Sequence, residues 1–133
     1  MINTHWHFDH TGGNENMGKA DVIIVAHDQV RERMSHDNFI KAFNKKVPTS
    51  PKVALPVITF NDEVTFHLNN QEIQVIHQDN SHTDGDSIVF FKTANVVHME
   101  EFHSEIPPIN WTPNYNNLGV QNDQKIHSLY QSV

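Results

Sequence analysis

The chain has 133 residues, room for one domain with a modest core. Its hydrophobic share of 37% is low for a globular domain, yet above the level of disorder. A formal net charge of −7 argues against nucleic acid as a partner, which clustered Lys and Arg would hold, and no apolar run is long enough to cross a membrane.

The N-terminal stretch is the densest in chemistry. Three histidines and an aspartate fall within six positions, His5, His7, Asp9 and His10. If residues 2–5 end a β-strand, His5 and His7 project to the same side, because side chains alternate along extended chain. Two imidazole nitrogens can then converge on one cation. Thr11, Gly12 and Gly13 break the strand into a tight turn. Asp9 and His10 would sit in that turn, facing a second ion beside the first.

Residues 14–18 read as a short helix closed by Gly18. Residues 21–26 form a continuous apolar run, the mark of a buried strand. A helix follows, with Asp28 as N-cap and Val30 and Met34 on one face. His27, at the junction, reads as a capping or packing residue. Asp37 is expected to cap another short helix whose stripe is Phe39, Ile40 and Phe43, part of the core or a lid. Residues 45–51 read as a loop, since Pro48 and Pro51 stop helix and sheet alike.

A strand over 56–60 begins at proline, as edge strands tolerate. The clearest hairpin follows. Val64, Phe66 and Leu68 alternate with polar residues, Asn69 and Asn70 accept the turn, and Ile73 and Val75 resume the alternation. His67 and His77 read as exposed or cross-strand polar residues. Residues 78–87 are polar and rich in turn formers. His82, at the tip of this loop, is well placed to meet His5 and His7. Asp84 and Asp86 would either orient ligands or cap the turn. Strands over 87–91 and 95–97 complete the pattern, with His98 as a strand residue.

His5-x-His7-x-Asp9-His10, followed by Thr-Gly-Gly-Asn, resembles the signature of the metallo-β-lactamase superfamily of hydrolases. The resemblance runs to about Met99. It implies an α+β fold, an αββα sandwich with a one- or two-metal site at the edge of two sheets. Here about one half of that sandwich is expected, a mixed sheet with flanking helices. The His82-Thr83-Asp84-Gly85 context resembles the one that supplies the third nitrogen of the first metal. Glu101 stands where the family has a bridging aspartate, and Glu100 replaces a glycine. The family's final histidine, in a Gly-His-Gly context, has no counterpart.

Residues 1–99 are thus expected to form a partial domain and 100–133 a divergent, irregular tail, arising from a shifted frame or an artificial end near Met99. The motif begins four residues into the chain, too early for a ligand strand with neighbours on both sides. The sequence therefore reads as an interior piece of a larger domain, with homodimerisation as the alternative if the chain is complete. No signal peptide is visible, and the compartment, secreted, periplasmic or cytoplasmic, is not legible. There are no cysteines, so neither a disulfide nor a thiolate ligand is available.

Three neutral imidazoles, His5, His7 and His82, suit a catalytic zinc site with an open fourth position. Iron or manganese is compatible with the same donors. Asp9 is the candidate general base. The reaction implied is hydrolysis of an ester-like or amide-like bond in a small molecule: a β-lactam, lactone or thioester. A second ion, on Asp9, His10 and Glu101, is expected to be weak or absent. A catalytically impaired metal-binding fragment is the competing expectation.

Overall fold

The computed structural model describes residues 1–40 and 44–99. Its elements are α1 (Phe8–Thr11), α2 (Asn14–Lys19), β1 (Val25–His27), α3 (Asp28–Met34), β2 (Asn38–Ile40), β3 (Lys45–Val47), a 3-10 turn (Lys52–Ala54), β4 (Ile58–Phe60), β5 (Glu63–Leu68), β6 (Gln71–His77), β7 (Ser87–Phe91) and β8 (Val96–His98). The expected α+β class is what the described residues adopt.

β1 is the hinge of the architecture. It pairs in parallel with β4, Val25 opposite Ile58. On its other side Ile2 makes a parallel bridge to Val25. The Asn3 amide donates to the Val25 carbonyl and the Val25 amide to the Met1 carbonyl, each at 2.9 Å. Successive side chains of β1 enter different cores. Val25 packs with Phe60, Val75 and Val89 against the antiparallel sheet. Ala26 packs with Val30, Met34, Ala54 and Leu55 against α3 and the 3-10 turn. Burial on both faces is why this stretch reads as an unbroken apolar run. The ladder is nonetheless shorter than the run: residues 21–24 lie outside the paired strand, and Ile23 is 57% exposed.

The second layer is an antiparallel meander, β5-β6-β7-β8. The hairpin register is Leu68 opposite Gln71, leaving Asn69 and Asn70 at φ 52° and 60°. Two consecutive positive-φ residues make the turn whose twist matches the strands it joins, and Asn tolerates that region. His67 lies exposed opposite Glu72, as expected.

Several expectations fail for local reasons. α2 does not stop at Gly18 but runs through it to Lys19. Glycine is required there for space: a Cβ would lie 1.9 Å from the Val53 carbonyl oxygen. Gly12 and Gly13 do form a turn, between α1 and α2, but it begins after Asp9 and His10. Asp9 and His10 lie within the helical turn α1, with Gly12 and Gly13 at ordinary right-handed angles. Residues 38–40 are a strand rather than a helix, paired antiparallel with β3 inside the expected 45–51 loop. Asp37 accepts from the Thr49 amide at 2.8 Å instead of capping a helix. Asn38 donates to the carbonyls of Arg33 and His36, closing α3 before a second helix can start. Phe43 lies outside the described residues, as do Glu101 and the whole 100–133 segment.

The N-cap of α3 is His27, not Asp28: its Nδ1 accepts from the Gln29 amide at 3.2 Å. Burial first, and then the neighbouring His77 ring, lower the His27 pKa from its usual 6.5. The sign follows. The unfolded chain takes up the proton at a pH where the native ring stays neutral. The stabilisation is therefore complete above about 6.5 and lost as pH falls through the lower native value. Urea denaturation across this window is expected to show falling stability on acidification. His27→Asn, which keeps a capping side chain but does not titrate, should flatten that slope. An unchanged slope would assign the acid sensitivity to other groups.

Candidate metal centre

The strand-end pairing of Ile2 and Asn3 with Val25 delivers His5 to the interior, where it is 1% exposed. His7 follows two positions on in extended conformation, 9% exposed, before α1 begins. Their rings meet edge-to-face at 4.9 Å between centroids. His82 arrives from the loop between β6 and β7. Its Nε2 lies 3.1 Å from His7 Nδ1, and its ring centroid 5.3 Å from that of His5. One nitrogen from each of the three rings lies within 4.8 Å of the other two. Three neutral imidazoles converging on one point are the donor set of a divalent transition metal, so these residues fit such an ion.

His10 and Asp9 stand beside this group. The His10 ring is 4.1 Å from His5 by centroid, and His10 Nε2 lies 3.2 Å from Asp9 Oδ2. The Asp9 side chain is half exposed at 52%, and His10 is 25% exposed. Among the described residues, the convergent set comprises His5, His7 and His82 and does not extend to Asp9 or His10. Glu101 lies outside the described residues.

The framework that holds His5 and His7 escaped the sequence. Asn14 is fully buried at the start of α2. Its Nδ2 donates to Asn3 Oδ1 at 2.8 Å and to the Ala54 carbonyl at 2.9 Å. Asn3 returns a bond to Asn14 Oδ1 at 3.0 Å and donates to the His10 carbonyl at 3.2 Å. The segment carrying Asn3, α1, α2 and the 3-10 turn are thereby tied together inside the protein, where such bonds are costly to leave half-made. Thr11 Oγ1 adds a bond to the His7 carbonyl at 3.0 Å. A small-amide residue early in a helix reads in sequence as an ordinary cap; only its distant partners reveal the buried role.

The His82 loop has its own clamp. Asp86 is 4% exposed, and its carboxylate accepts from the Thr83 amide at 2.5 Å and the Thr83 hydroxyl at 2.8 Å. Its role is therefore to shape the turn, one of the two expected for it. Asp84 instead makes a two-pronged pair with Arg33 of α3, the shortest contact being 2.6 Å. Both side chains are more than a third exposed, so this pair contributes about 0.2–1 kcal/mol. Gly85 fits against α3, where a Cβ would lie 2.8 Å from Val30 Cγ2.

The family model described as Metallo-beta-lactamase superfamily matches residues 1–99. No curated protein matches the chain. Among solved structures, the chain is similar to a metallo-beta-lactamase from Pontibacter korlensis, with 24% identity and a TM-score of 0.54, over 72% of this chain and 38% of that one. It is also similar to the BLEG-1 B3 metallo-beta-lactamase, with 16% identity and a TM-score of 0.58, over 74% of this chain and 47% of that one. At these identities the likeness is one of fold. The chain spans less than half the length of either structure.

Proposed function

This chain belongs to the metallo-β-lactamase superfamily, and on that premise we propose that it serves a metal-dependent hydrolase in which His5, His7 and His82 hold the ion. The observation that carries the reading is the mutual 4.8 Å approach of one nitrogen from each ring, across two separate stretches of chain. A bound divalent cation, zinc or alternatively iron or manganese, supplies Lewis acidity that polarises a carbonyl and makes water a nucleophile near neutral pH.

The protein's own groups do the rest. Asp9, exposed beside the cluster, takes the proton from the attacking water. His10, 3.2 Å from that carboxylate, orients it. His10 and Asp9 would also be the start of a second, weaker ion site. The substrate class is a small molecule with an ester-like or amide-like bond: a β-lactam, lactone or thioester. The test is turnover of a chromogenic β-lactam and a simple thioester with zinc added, beside His7→Ala. Metal-dependent hydrolysis that His7→Ala abolishes is the expected result.

A second reading is favoured by one observation, that the chain spans 38% and 47% of the structures it matches. On it, the chain keeps the metal-binding nitrogens but lacks the surface that seats a substrate. A folded sample that binds zinc and hydrolyses neither substrate would select it.

A further inference from the structure

His77 is a cross-strand polar residue, paired with Ser87 of β7, and its ring is largely covered. The His77 side chain is 13% exposed and stacks on His27, with centroids 3.8 Å apart and planes 13° from parallel. His27 is itself fixed by its cap bond to the Gln29 amide. His77 sits at the last position of β6, where the chain leaves for the His82 loop. Its Nδ1 lies 2.9 Å from the Asp86 carbonyl oxygen. A carbonyl can only accept, so Nδ1 donates. Its Nε2 lies 3.1 Å from Asp79 Oδ1. The Asp86 carbonyl also accepts from the Gln78 amide at 2.9 Å, closing the loop at its base.

These contacts form a continuous path. His27 is locked to α3, and His77 stacks on His27 and grips the Asp86 backbone. The Asp86 carboxylate holds Thr83, the neighbour of His82. The loop is also attached to α3 by the exposed Asp84–Arg33 pair and by a van der Waals fit at Gly85. We propose that His77 is a positioning residue of the metal centre: its Nδ1–H bond to the Asp86 carbonyl, braced by the stack on His27, sets the loop so that His82 meets His5 and His7. The inference rests on the reading of those three histidines as metal ligands.

Two variants separate hydrogen bonding from mere filling of space. His77→Phe keeps an aromatic ring for the stack but cannot donate to Asp86. His77→Asn carries an amide N–H where Nδ1–H was. Cobalt affinity, measured by titration of the visible absorption of the complex, is expected to fall about tenfold in His77→Phe, as for groups that orient ligands. In His77→Asn, which restores the N–H but not the stack, the loss should be clearly smaller than in His77→Phe. Amide exchange at Thr83 should accelerate in His77→Phe alone. Unchanged cobalt affinity in His77→Phe overturns the inference, as does equal loss in both variants, which marks a purely structural residue. If the unaltered protein takes up no cobalt, the metal-centre reading fails and this inference with it. The two failures are therefore told apart by the unaltered protein alone.

Discussion

His82→Ala is expected to remove tight metal binding while leaving the protein folded. The reasoning joins position to burial. His5 and His7 come from one short stretch and cannot by themselves surround an ion; His82 closes the set from a loop far along the chain. Changes to groups that merely orient ligands cost about 10–100-fold in affinity, so loss of a ligand should exceed about 100-fold. His82 is exposed at a loop tip, so in the metal-free protein its truncation should change stability by no more than about 1 kcal/mol, the worth of its contact with His7. His5→Ala would be a poorer experiment, because that ring is 1% exposed and its loss empties part of the interior. Cobalt titration and thermal melting on the same sample check both halves. Binding that survives in His82→Ala would dismantle the proposed centre.

The largest effect on folding is expected at Gly18. The Val53 carbonyl oxygen occupies the place of any Cβ, at 1.9 Å, and this oxygen belongs to backbone that cannot rotate away. Gly18→Ala must push α2 off the 3-10 turn. The same movement strains the Asn14 bond to the Ala54 carbonyl and, through Asn3, the seat of the ligand strand. Overpacking of this kind costs about 3 kcal/mol. Gly13 is the control, because nothing lies within 4 Å of its Cβ position. Gly13→Ala should stay within about 1 kcal/mol of the unaltered protein. Urea denaturation of the two variants side by side decides it, and equal stabilities would refute the steric argument.

How far the sequence carried the structure depended on how far each signal reached along the chain. The β5-β6 hairpin was legible because register and turn are local, with alternation on both sides of Asn69 and Asn70. The convergence of His5 with His7 was legible for the same reason. The arrival of His82 rested on the resemblance and on its loop-tip position. The β2-β3 pair was not legible: Phe39 and Ile40 suit a helical stripe, and only the Asn38 bonds and the partner strand decide against it. Asn3 and Asn14 were missed because small polar residues acquire a buried role from partners elsewhere in the chain, such as Ala54 for Asn14. A period or a spacing carries no trace of such partners.

His7 and His82 lie 75 positions apart. An ion gripping both would act as a clasp on more than half of the polypeptide, much as a crosslink does. An ion bound only by the folded chain stabilises it by mass action, about 2.7 kcal/mol at a hundredfold excess over its Kd. The stability of the fold would then rise and fall with the concentration of free ion.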